Sequence, residues 1–129
     1  MATRAAMEEE LLTAIANGDE DKVVTLLKNT EKPGEIRDSN NWTLLHCAAN
    51  YGRTALCQVL VEQYQVPPDE KSSVGHTALH YACARNYTDI VKYLVTHAHF
   101  NPMIKDNHGE TPLSGSYGET RHFLEDIIG

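Results

Sequence analysis

Two stretches, NWTLLHCAANYGRTALCQVLVE (residues 41–62) and GHTALHYACARNYTDIVKYLVT (residues 75–96), lie in register one under the other. Thr43 falls on Thr77, Leu45 on Leu79, His46 on His80, Ala48 on Ala82 and Leu60 on Leu94, each pair 34 apart (77 − 43, 94 − 60). The same offset carries Gly75 to Gly109, Thr77 to Thr111 and Leu79 to Leu113. In the other direction it takes Ala48 to Ala14, Gly52 to Gly18 and Leu60 to Leu26. A fixed period of this length marks a repeat architecture, in which one supersecondary unit buries its apolar face only against its neighbours. Four copies, approximately 7–37, 38–71, 72–105 and 106–129, fill the chain, so residues 1–129 are expected to form one domain.

The local signals within each copy agree. A turn comes first, in DSNN (38–41), SSVGH (72–76) and DNHGE (106–110), with Asn or Gly where a positive φ is needed. Thr43, Thr77 and Thr111 follow as helix N-caps, and Pro112 suits a first helical position, where a missing N–H is harmless. The first helix of each copy is expected to be short and to stop at Gly18, Gly52 or Asn86, residues that tolerate the left-handed conformation. A second helix carries wide apolar stripes such as Leu56, Cys57, Val59, Leu60, Val61 and Ile90, Val91, Tyr93, Leu94, Val95, to be covered by neighbouring helices.

The segments WTLLHCAANYG, HTALHYACARN and ETPL resemble the ankyrin repeat, whose signature T-P-L-H-x-A recurs about every 33 residues. The tetratricopeptide repeat has a similar period, but its Trp…Leu-Gly…Tyr pattern is absent here. The resemblance covers roughly residues 7–129 and implies an all-α fold: an ankyrin-repeat solenoid of stacked helix pairs with β-turn or hairpin fingers. The extra residue of each unit is expected near Gln63–Pro68 and Thr96–Pro102. The end copies depart from the pattern. The first has Glu9 and Glu10 in place of Thr-Pro, and the last has Ser114, Gly115 and Ser116 in place of His-x-Ala. Both read as caps, since terminal repeats face solvent on one side.

Two groups of residues invite a chemical reading. His76, His80 and Cys83 share a helical face, but the repeat absorbs two of them. His80 recurs as His46, where the resemblance implies a structural imidazole, and Cys83 aligns with Ala49, a small apolar slot. His97 and His99 are a second pair of possible ligands, yet a zinc site needs three or four donors, so no metal is expected. No GxSxG, HExxH or phosphate-binding loop appears, so catalytic residues and cofactors are expected to be absent. The acidic runs Glu8–Glu9–Glu10 and Asp19–Glu20–Asp21 are expected at helix starts, where they complement the macrodipole.

Composition narrows the partner. The formal net charge of −7 disfavours nucleic acid, no apolar run approaches a membrane span, and 41% hydrophobic residues supply a real core. Three unpaired cysteines, Cys47, Cys57 and Cys83, point to a reducing compartment, cytoplasmic with a nuclear location also open. The resemblance implies a non-enzymatic, monomeric protein–protein interaction scaffold that binds a partner protein along its concave face. The alternative is the recognition or regulatory segment of a larger enzyme or channel. Partner contacts then fall on turn tips and the outward side of the first helices: Ser39, Asn40, Trp42, Asn50 and Tyr51; Ser73, Val74, His76 and Arg85; Asn107, His108 and Glu110. Trp42 stands out as a large aromatic at an outward turn position, either free for a partner or packed sideways on the next turn.

Overall fold

The structure is a computed structural model and describes residues 4–98 and 100–128. Among the described residues seven α-helices succeed one another: α1 (Arg4–Asn17), α2 (Glu20–Lys28), α3 (Leu44–Asn50), α4 (Thr54–Glu62), α5 (Ala78–Ala84), α6 (Thr88–Thr96) and α7 (Gly118–Ile128). A short 3-10 turn, Pro33–Glu35, leads into the first finger. No strand occurs among the described residues. Helices α1–α2, α3–α4 and α5–α6 pack as antiparallel pairs. Stacking runs from α1 to α3 to α5 in an inner layer, and α4, α6 and α7 continue it in the outer layer. The result is an all-helical solenoid with turn-like fingers projecting from its inner edge.

The apolar stripes account for the stacking. Leu44, Leu45 and Ala48 on α3, Leu79 and Ala82 on α5, and Leu60 and Leu94 on the outer helices are fully buried. Each helix pair turns at a left-handed residue, and Gly52 shows why a glycine is required there. Its φ is +74°, and a Cβ would sit 3.0 Å from the Tyr87 ring of the next repeat. Arg53 has a complementary task one repeat back. Its Nε and Nη2 donate to the Ile15 and Ala16 carbonyls at 3.1 and 2.6 Å, closing the C-terminal end of α1.

Two features differ from the sequence expectation. Helix α1 already begins at Arg4, so its first turn carries no acidic residue and Glu8–Glu10 lie beyond that turn; only Glu20 and Asp21, behind the N-cap Asp19, occupy a helix start. Residues 112–115 form a turn rather than a helix, although Thr111 and Ser114 retain the N-cap geometry. The offsets explain this. The left-handed residues before the outer helices, Gly52 and Asn86, are 34 apart (86 − 52), whereas Gly118 follows Asn86 by only 32 (118 − 86), and Thr120 lies against Thr88 at the same offset. The last unit therefore lacks two residues (34 − 32) in the region where α3 and α5 stand, between its finger and α7.

Candidate protein-interaction site

Three fingers stand side by side, and each is closed on itself. Asp38, Ser72 and Asp106 donate their N–H groups to the carbonyls of Trp42, His76 and Glu110, at 3.1, 2.8 and 2.8 Å. Asp38 Oδ1 accepts from the N–H groups of Asn40 and Trp42, and Asp106 Oδ1 from those of His108 and Glu110. Neighbouring fingers are then laced by backbone: Ser73 N–H donates to the Asn40 carbonyl at 2.9 Å and Asn107 N–H to the Val74 carbonyl at 3.2 Å. Asn41 and Asn107 side chains add bonds to the Lys71 and Ser73 carbonyls. This lacing fixes the register of the finger tips.

The two motif histidines join helix, finger and next finger. His46 Nδ1 accepts from the Thr43 N–H at 3.0 Å, which leaves the proton on Nε2, where it donates to the His76 carbonyl at 3.0 Å. His80 repeats the arrangement with the Thr77 N–H and the Glu110 carbonyl, at 3.0 and 3.1 Å. Burial lowers both imidazole pKa values below 6.5, and accepting at Nδ1 requires the neutral ring. Ser114 reproduces only the local half: its Oγ accepts from the Thr111 N–H at 3.0 Å.

Beside this frame lies an aromatic and polar cluster. Trp42 is half-buried; its ring lies 4.8 Å from that of Tyr81, and its Nε1–H donates to Tyr81 Oη at 3.1 Å. Tyr81 Oη in turn is 3.3 Å from both Ser72 Oγ and His76 Nδ1. His76 Nε2 is 3.1 Å from Asp106 Oδ2. The backbone N–H of Glu110, with smaller contributions from that of His108 and from His76, holds the Asp106 carboxyl below the usual carboxylate range. Trp42 thus packs sideways, as the sequence left open, but on Tyr81 of α5 rather than on the next turn. His76 is not a freely outward residue either; it is the link between Tyr81 and Asp106.

These residues border a groove of about 540 Å³ on the inner side of the stack. The lining includes Trp42, His76, Tyr81 and Asp106, Asn50 from α3, Ala84 and Arg85 from the end of α5, and Glu110, Pro112 and Gly115 from the last unit. Of the residues expected to contact a partner, the structure gathers Trp42, Asn50, His76, Arg85 and Glu110 here. Asn50 is only 9% exposed, so it acts from below, accepting from Arg85 Nε at 3.2 Å, rather than as a contact in its own right. Ser39, Asn40, Ser73, Val74, Asn107 and His108 are exposed at the finger tips, and Tyr51 is exposed at the end of α3. Tyr81 was not singled out from sequence. Its signal was available: it occupies the position of Cys47 one repeat earlier, exchanging a small side chain for a large aromatic.

The other chemical candidates are the cysteines and the His97–His99 pair. Cys47, Cys57 and Cys83 are free and buried, and burial pushes each thiol up to about 12. His97 is exposed and stacks on Tyr93 at 5.4 Å, while His99 lies outside the described residues. Among the described residues no group of three or more His, Cys, Asp or Glu side chains could hold a metal ion, and no helix is long and apolar enough to cross a membrane.

Stacked helix pairs, laced fingers and paired Thr–His caps define a repeat-solenoid protein with a groove along its inner face. The chain belongs to the ankyrin-repeat family: the model for ankyrin repeats (3 copies) matches residues 11–106. It is 31% identical over 93 residues to human ankyrin repeat and SOCS box protein 2, covering 72% of this chain and 14% of that protein. Rat liver-isoform mitochondrial glutaminase is 34% identical over 80 residues, covering 62% of this chain and 13% of that protein. SMC5-SMC6 complex localization factor protein 1 of Bos taurus is 29% identical over 109 residues, covering 82% of this chain and 10% of that protein. The chain therefore spans only 10–14% of the length of these curated relatives. Among solved structures, a chain from the complex of yeast ribosomal protein Rps3 with its chaperone Yar1 superposes with a TM-score of 0.81. The identity is 20%, and 93% of this chain and 89% of that one are covered, a likeness of fold.

Proposed function

We propose that this chain is a non-enzymatic scaffold that, as a monomer, binds a partner protein through its inner groove and finger tips. The observation that carries this reading is the groove itself: backbone lacing holds it rigid, and the Trp42–Tyr81 pair and the Arg85 guanidinium border it. A pre-set surface loses little conformational freedom on association, and Trp, Tyr and Arg carry most of the energy at protein interfaces. Ankyrin repeats generally mediate protein–protein interaction, and the solved neighbour comes from a complex of a ribosomal protein with its chaperone. The net charge of −7 argues against a nucleic acid partner. Three buried free thiols suit a cytoplasmic or nuclear setting.

Replacing Trp42 and Tyr51 together by Ala tests the assigned face. Trp42 is half-buried and Tyr51 exposed, so the double variant should keep the wild-type circular dichroism spectrum. Affinity capture from cell lysate should then lose partners that the wild type retains. An unchanged set of partners would place the binding face elsewhere. Sedimentation equilibrium should give the 14.4 kDa mass of one chain.

A further inference from the structure

We propose that the groove receives an extended partner segment that delivers a single carboxylate side chain to Arg85 and lays an apolar neighbour on Trp42 and Tyr81. The inference rests on the reading of the groove as the partner face. It begins from a contrast among the arginines. Arg37 donates from Nη1 to two carbonyls and pairs with Glu70, Arg53 closes α1, and Arg121 pairs with Glu125 and donates to the Leu113 and Ser116 carbonyls. Arg85 differs. Its Nε is held by the buried Asn50 Oδ1 at 3.2 Å, while its two Nη groups have no acceptor among the described residues. A guanidinium fixed at Nε and open at both Nη atoms presents donors that suit a planar carboxylate.

The remaining charges define the ligand further. Asp106 is occupied by two backbone N–H groups and His76, which leaves Glu110 as the one other charged side chain lining the groove. One available cation facing one carboxylate suits a monoanion; a phosphorylated side chain would carry about two charges against a single arginine, with Glu110 repelling it. Glu110 also disfavours a second acidic residue at its end and favours a hydrogen-bond donor there. The lining also includes the small, exposed Ala84 and Gly115 and the buried Pro112. A Cβ on Gly115 would meet nothing closer than the Pro112 carbonyl oxygen at 3.9 Å. Residues 112–115 stand there as a turn in place of an inner helix.

The test is selection from a displayed library of random linear peptides on the purified, immobilised chain. Wild type, Arg85→Glu, Arg85→Lys and Trp42→Ala are compared after equal thermal melts establish folding. The wild type should enrich Asp or Glu at one fixed position next to an apolar residue. Arg85→Glu should lose that preference or exchange it for Lys or Arg, and Arg85→Lys should retain it weakly. A synthetic peptide from the selection should bind roughly tenfold or more weakly when its acidic residue is made the amide, and Arg85→Ala should abolish that difference. Selected peptides that depend on Trp42 but ignore both Arg85 and the carboxylate would overturn this inference and leave the groove reading standing. Failure to enrich any sequence, or enrichment unaffected by either residue, would overturn both.

Discussion

His46→Ser separates the two tasks of the buried histidine, because the chain contains the control. In the last repeat Ser114 Oγ already accepts from the Thr111 N–H at 3.0 Å, and its own N–H donates to Thr111 Oγ1 at 3.2 Å. A serine at position 46 should therefore keep the Thr43 cap. It loses the Nε2–H bond to the His76 carbonyl, worth about 1 kcal/mol net. His46 is 1% exposed, so removing its ring also leaves a partly filled cavity, costing about 1–2 kcal/mol more. The His76 carbonyl keeps one donor, the Ser72 N–H at 2.8 Å, so no full desolvation penalty is added. The expected loss is about 2–3 kcal/mol, read as a lower urea midpoint at unchanged slope and measured well above pH 6.5.

The pH dependence supplies the second half of the test. Burial depresses the folded-state pKa of His46, so the unfolded chain binds more protons over that window and stability falls with falling pH. The contribution of the neutral ring is complete above the unfolded value, about 6.5, and is lost as pH drops through the lower folded value. The serine variant has no imidazole to titrate there. Its deficit relative to wild type should shrink as pH falls below 6.5, with carboxylate effects common to both cancelling. A deficit under about 0.5 kcal/mol, or one that widens in acid, would refute the assignment of a neutral, doubly bonded imidazole.

Arg53→Ala should fray α1 and cost about 1.5–3 kcal/mol, because a charged donor leaves the Ile15 and Ala16 carbonyls; amide exchange in α1 should accelerate while α6 is unaffected. Gly52→Ala should destabilise by about 1–2 kcal/mol, the φ of +74° and the 3.0 Å approach to Tyr87 acting together, and a calorimetric scan that matches wild type would contradict it. Hydrogen exchange should show Ser114–Ile128 as less protected than Leu79–Leu94, since the last unit lacks a complete inner helix. Native protein should leave all three thiols unlabelled by a disulfide reagent at neutral pH, with labelling appearing only on unfolding, because burial holds each near 12.

What the sequence made legible follows from periodicity. Positions that serve every repeat in the same way, such as Thr43 and Thr77, His46 and His80, Leu60 and Leu94, announce themselves by recurring, and their geometry recurs with them. Contacts between non-equivalent positions do not. Trp42 meets Tyr81, 39 residues on (81 − 42), and neither residue has a counterpart of its kind elsewhere in the repeats. A position that is outward in one repeat is roofed by whatever the next repeat carries at its inner helix, and a Cys-to-Tyr exchange turns an open edge into a packed one. The two-residue deficit of the last unit escaped for a related reason. The offset of 34 still holds through Gly109, Thr111 and Leu113, and the deficit appears only beyond them, where the helix would have continued.

That deficit joins stability to recognition. The last finger is retained intact because His80 needs its Glu110 carbonyl; without that acceptor a buried Nε2–H would be left unpaired. The outer helix is retained because Leu124 and Thr120 complete the outer layer, Thr120 Oγ1 lying 2.8 Å from Thr88 Oγ1. The inner helix is the element of the last unit reduced to a turn, although Pro112 is buried there and Leu113 still packs against the core. Ala84, whose equivalent Asn50 is buried beside a complete inner helix, is exposed and lines the groove with Arg85. The same shortening therefore weakens the end of the stack and uncovers Ala84, whereas Arg85 takes the position of Tyr51, exposed in either case.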